Sequence, residues 1–193
     1  MLAKAALAFS LAVRVYDSYG VSDQELAAAK ATARRIFAGA GVAIQWTSCP
    51  CESRVGPAEL VIRIGAAPST SEPASLGFSY VDVSQKGGTL ATVFADRVKA
   101  LAAGPRVDEG QLLGRAMAHE LGHLLIGTID HNRAGLMRGR WTMIDLQNDR
   151  PWDWIFSRGE SARMRQAVVR RSRAPARPAA VIASTPGEEI PTP

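Results

Sequence analysis

All three histidines of this 193-residue chain fall between His119 and His131. The first two lie in His119-Glu120-Leu121-Gly122-His123. Around them Leu112, Leu113, Ala116, Met117, Leu121, Leu124 and Leu125 spread over most of a helical wheel. A helix this apolar is buried rather than laid on a surface. Burying a carboxylate and two imidazoles without partners costs on the order of several kcal/mol. The fold must therefore supply partners, and this demand constrains the chain more than any other feature.

Side chains four apart on a helix share one face, one turn apart, so His119 and His123 can bind the same metal ion. Zinc takes nitrogen ligands at about 2.0–2.1 Å, and a catalytic site has three protein ligands and one position open to water. Glu120 can reach that water as a general base. The third ligand must come from outside the helix. Gly127 allows a left-handed turn, after which the chain can reverse and bring back His131. Asp130, in Gly127-Thr128-Ile129-Asp130, is the alternative, and His131 is preferred. Gly122 would let a backbone or a substrate approach the helix closely.

His119–His131 followed by Gly135-Leu136-Met137 resembles the zincin metallopeptidases, most of all the metzincin clan. That clan extends the helix motif through a glycine to a third histidine and sets a methionine turn beneath the metal. The resemblance implies an α+β, zincin-like fold: a small twisted mixed β-sheet, two long helices, an active-site helix carrying the motif, and a loop-rich C-terminal subdomain. It implies one zinc ion on His119, His123 and His131, Glu120 as catalytic base, Met137 as the methionine of the turn, and a peptide or protein substrate. The spacing departs from the clan's. Glycine and third histidine usually follow the second histidine by three and six residues; here Gly127 and His131 follow His123 by four and eight. The methionine is also closer than in most members. The chain further resembles small bacterial proteins with a His-Glu-Leu-Gly-His-Leu-Leu core and this wider spacing.

The remaining pattern fits such a plan. Leu11–Tyr16 alternates as a strand. Ser22 and Glu25 form a capping box, with Val21 and Leu26 as a hydrophobic staple, for a helix whose apolar face is Leu26, Ala29, Ala33, Ile36 and Phe37. Gly39 and Gly41 end it. Val42, Ile44 and Trp46 mark a second strand, and Leu60, Ile62 and Ile64 a third. Leu76–Val83 and Leu90–Phe94 read as two more, joined by a turn over Gln85–Gly88 with Gly87-Gly88 as its signal. The resemblance makes Leu76–Val83 the rim strand that pairs with an extended substrate. Asp96–Ala103 reads as a short helix. The second long helix starts at Asp108, with Gln111 three residues on, and stops at Gly127. Residues 128–157 read as irregular, with Trp141, Trp152 and Trp154 filling a small lower core. Arg138 and Arg140 read as solvated surface flanking the site.

Domain limits follow. Residues 11–157 form the zincin-like domain, 158–173 a basic helix, and 174–193 a disordered Pro/Ala-rich tail. Lys4 followed by Ala5–Val13 resembles a signal-peptide core. Residues 1–10 are accordingly expected to be the remnant of a longer export signal, which favours an exported protein. Apolar residues make up 47% and charged residues 21%. That balance suits a globular core and excludes a disordered chain, a collagen or a disulfide-dense mini-protein. There is no apolar run long enough to span a membrane. The net charge of +5 comes from seven arginines between Arg158 and Arg177, against the single acid Glu160. A nucleic-acid-binding domain carries its charge on the folded body, so no specific nucleic acid is expected and the stretch reads as a solvated basic tail. Cys49 and Cys51 cannot build a four-cysteine zinc site. A bond between them closes a very small ring, so they read as free thiols, or as a local disulfide if the protein is exported.

The expected function is zinc-dependent peptide hydrolysis. Two alternatives are a zinc hydrolase of a non-peptide amide and a non-catalytic zinc-containing binding module with a basic tail.

Overall fold

The computed structural model describes residues 9–104 and 107–174. The elements are β1 (Phe9–Asp17), α1 (Asp23–Gly39), β2 (Val42–Cys49), β3 (Glu59–Gly65), β4 (Gly77–Asp82), β5 (Gly87–Phe94), α2 (Ala95–Ala103), α3 (Glu109–Ile126), α4 (Met143–Asn148), a 3-10 turn (Pro151–Trp154) and α5 (Arg158–Arg173). The sheet order is β2-β1-β3-β5-β4. The three pairings from β2 to β5 are parallel, and β4 alone runs antiparallel, as an edge strand. This is the small mixed sheet with two long helices expected of a zincin-like α+β chain.

Alternation in the strands supplies the core: Leu11, Val13, Val15, Leu60, Ile62 and Ile64 are all buried. The long helices start where their caps say. Ser22 and Glu25 close a reciprocal capping box on α1, and Asp108 accepts the Gln111 N–H at the head of α3. Helices α1 and α3 pack against each other, and α3 also lies against β5 and β4. Every residue of α3 from Leu112 to Ile126 is buried, which explains its all-round apolar sequence. Among the described residues no helix is long and apolar enough to cross a membrane.

Residues 1–8 of the expected signal remnant and residues 175–193 of the expected tail lie outside the described residues; Phe9 and Ser10 belong to β1 and pair with Val42 and Ala43 of β2. Several other expectations are corrected. The β4–β5 turn occupies residues 83–86, with Lys86 at φ 51°, and Gly87-Gly88 belong to β5. At Gly88 a Cβ would meet the Tyr80 carbonyl and Leu124 Cδ2, so the glycine serves close packing rather than the turn. Residues 128–157 are not wholly irregular, because Thr142 and Asp145 form a capping box that starts α4. Trp154 is buried and Trp141 packs against the core, but Trp152 is 63% exposed.

Cys49 and Cys51 are joined in a disulfide. Pro50 stands between them just past the end of β2, and the two Cα atoms lie 4.7 Å apart, within the span a disulfide bridges. Helix α5 is not simply a solvated basic tail. Met164, Ala167 and Val168 are buried. Arg165 donates to the Ala40 carbonyl at 2.7 Å, and Arg171 to that of Gly88. Arg14, polar in the strand alternation, is buried too; it bonds Glu59 and the Ser53 and Arg54 carbonyls.

Candidate metal centre and cleft

Helix α3 presents His119, Glu120 and His123, all buried, on its cleft side. The helix ends at Gly127, whose φ of +74° is the left-handed geometry that suits glycine. A Cβ there would run into the backbone of Lys86, so the β4–β5 turn rests on the helix end. The Gly127 N–H donates to the His123 carbonyl at 2.9 Å. Beyond this cap the chain reverses and brings His131 to the cleft rim.

The three side chains converge through one nitrogen each. The Nε2 atoms of His119 and His123 lie 3.1 Å apart, and each is 3.3 Å from His131 Nε2. A tetrahedral ion with zinc–nitrogen bonds of about 2.0–2.1 Å needs ligand separations of about 3.3 Å. The donor set therefore fits such an ion. The opposite ring nitrogens fix the tautomers. His119 Nδ1 lies 2.8 Å from the Leu136 carbonyl and His123 Nδ1 2.8 Å from that of Thr128. A carbonyl only accepts, so each Nδ1 carries the hydrogen and each Nε2 keeps its lone pair for a metal. Burial pushes His119 down to about 3, with the neighbouring His123 adding to it. Burial also lowers His123 and His131. All three are thus neutral in the folded chain near pH 7, the state a metal ligand requires.

Glu120 lies beside this cluster. Burial raises its carboxyl to about 7, and a hydrogen bond from Ser79 works in the opposite direction. Ser79 Oγ lies 2.6 Å from Glu120 Oε2 and 2.7 Å from the Glu120 carbonyl. Sequence reading missed Ser79; its one signal is a small polar residue inside the expected rim strand.

Leu136 and Met137 are buried beneath the helix. A Cβ at Gly122 would lie 2.8 Å from Met137 Sδ and 2.8 Å from Phe156 Cε1. Gly122 therefore admits these two side chains, rather than a backbone or a substrate. Asp130 does not join the cluster. It is exposed, and its carboxylate accepts from Thr128 Oγ1 at 2.8 Å. Arg138 is not solvated surface either. It reaches Asp145 and Asp153 at 3.2 and 3.3 Å and lies over the Trp154 ring. Arg140 is exposed at the cleft. Trp141 stands edge-on to His119 at 5.8 Å and to Trp154 at 5.2 Å.

A cleft of about 740 Å³ opens onto the histidines. Its walls include Leu76–Ser79 of the rim, Leu101 and Ala116 on the helix side, and Ile129, Arg138 and Trp141 on the lower side. Arg97 holds the upper rim in place by donating to the Ser71, Glu72 and Ser75 carbonyls.

No protein-family model matches the sequence and no curated protein matches it. Solved structures do match. Archaemetzincin from Methanopyrus kandleri superposes with a TM-score of 0.59 at 11% identity, over 86% of this chain and 99% of that one. A zinc-dependent peptidase from Methanocorpusculum labreanum (strain Z) gives 0.53 at 12% identity, over 79% and 99%. The fold is archaemetzincin-like. At such low identity the likeness concerns the fold alone.

Proposed function

We propose that this chain is a zinc-dependent peptidase of metzincin-like type, acting on peptides or proteins as an endopeptidase. The observation that carries the reading is the trio of Nε2 atoms at tetrahedral spacing beside a buried carboxylate. The two structural neighbours, an archaemetzincin and a zinc-dependent peptidase, support the same reaction class. His119, His123 and His131 would hold one zinc ion. Bound there, zinc supplies Lewis acidity that lowers the pKa of a water toward about 7 and polarises a carbonyl.

The chain's own residues do the rest. Glu120 accepts the attacking water's proton at Oε1, the oxygen not engaged by Ser79, and later returns it to the departing amine. A carboxyl held near neutrality by burial suits both tasks. Leu136 and Thr128 keep His119 and His123 in the metal-binding tautomer. Met137 packs under Gly122 as the floor of the site. The edge strand β4 offers its unpaired side to an extended substrate backbone, which adds as a further strand. The apolar cleft walls then receive the side chains.

Replacing Glu120 by alanine tests the reading. The variant is expected to retain zinc and lose peptide hydrolysis. Hydrolysis at the wild-type rate in zinc-loaded Glu120→Ala would refute the assigned base.

A further inference from the structure

We propose that Ser79 is a positioning residue for Glu120, its hydroxyl fixing the carboxylate from the rim strand. The inference rests on the hydrolase reading above and adds a residue to it. On β4, Gly77 and Ser79 lie two apart and so face the same side of the strand. That side faces α3. Ser79 Oγ sits 2.6 Å from Glu120 Oε2, and a Cβ at Gly77 would lie 3.0 Å from Glu120 Cγ and 3.1 Å from Oε1. The carboxylate is thus laid against the strand backbone and tied there by one hydroxyl. Among the described residues, Ser79 is its only hydrogen-bond donor.

A terminal carboxylate torsion is broad and lacks sharp rotamer wells. A base that must meet a water within about 0.5 Å therefore needs an outside restraint. Ser79 has one hydrogen and two acceptors in reach, Oε2 and the Glu120 carbonyl. The ionised carboxylate is the stronger acceptor, so the hydrogen goes to Oε2 while Glu120 awaits a proton. This leaves Oε1 to receive the water's proton. The strand that carries Ser79 also exposes the edge to which substrate backbone would add, so a docked peptide and the base share one rigid element.

The test compares zinc-loaded wild type with Ser79→Ala and Ser79→Thr. In Ser79→Ala, kcat is expected to fall roughly 10- to 100-fold, the usual cost of losing an orienting hydrogen bond at such a site. KM and bound zinc should stay within about twofold, and Ser79→Thr should restore most of kcat. Crystals of Ser79→Ala should show the Glu120 carboxylate spread over more than one rotamer, against one position in wild type. An unchanged kcat in Ser79→Ala overturns the assignment, as does a raised KM at constant kcat, which would make Ser79 a substrate contact. A single, unmoved Glu120 carboxylate in the alanine crystal overturns it as well. If wild type binds zinc but hydrolyses nothing, the hydrolase reading fails, while the crystal comparison still decides whether Ser79 fixes the carboxylate.

Discussion

Helix α3 and the segment from Thr128 to Trp141 both deliver histidines to one point, by different physics. In α3 the spacing is local. Four residues of helix bring His119 and His123 onto one face, and burial on every side leaves the helix no freedom to turn. His131 and Met137 stand on a loop whose shape comes from distant partners. Asn132 N–H donates to the Met137 carbonyl at 2.8 Å, and Leu136 N–H to that of Ile155 at 3.0 Å. The Asn132 side chain bonds Glu160 at the start of α5, and Arg138 ties the segment to Asp145 and Asp153. The helical half of the centre can be read from a motif. The other half depends on contacts that only the assembled fold provides.

The largest expected effect separates the two candidate loop ligands. His131→Ala should weaken zinc binding by more than ~100-fold, exceeding the cost of an outer contact, and abolish hydrolysis. Asp130→Ala should leave both near wild type, because its carboxylate is engaged with Thr128. Metal titration of the two variants checks this, and the reverse ranking would move the third ligand to Asp130. Next comes Met137→Ala, which empties space beneath Gly122. It should cost about 2–5 kcal/mol of unfolding free energy, while Met137→Leu should cost less than about 1.5 kcal/mol. Chemical denaturation measures both. Equal, small losses would mean that the segment under the helix is loosely packed.

The contrast also shows how far sequence carries. The capping box of Ser22 and Glu25, the Asp108 cap and Gly127 announced both long helices, because a helix end advertises its own unpaired groups. The strands were legible from alternation. The β4–β5 turn lies before Gly87-Gly88 rather than on it, because a Gly-Gly pair signals a turn and a close approach alike. Only the assembled packing of Gly88 on Tyr80 and Leu124 distinguishes the two. Helix α4 had a readable signal in Thr142 and Asp145 but lies in a segment without apolar periodicity. Arg165 and Arg171 looked solvated because their acceptors, the carbonyls of Ala40 and Gly88, are far away in sequence. Ser79 escaped for the same reason: its partner is 41 residues on.

The pH dependence of the metal-free chain probes the helical half. Burial holds the Glu120 carboxyl at about 7, against 4.5 for an ordinary one. Between these values the folded chain keeps a proton that the unfolded chain has released. The contribution is therefore fully present below pH 4.5 and is lost as pH rises through about 7. The change amounts to about 3 kcal/mol. Glu120→Gln lacks this term, so its stability relative to wild type should rise by that amount from pH 4 to pH 8. His119, lowered to about 3, works in the opposite direction but is common to both proteins. A difference independent of pH would contradict the buried, protonated carboxyl.

The smallest effect probes the loop. Asn132→Ala leaves Glu160 short of one donor and should cost about 1–2 kcal/mol. It should also weaken zinc binding by about tenfold while leaving α3 helical. Unchanged zinc affinity would show that His131 is held without this anchor.

The central claim is that His119, His123 and His131 form one zinc centre. Elemental analysis of the purified chain, after zinc is added and excess removed, tests it most directly. The account predicts one zinc per chain, lost in His123→Ala. A ratio near zero in the wild type would contradict it.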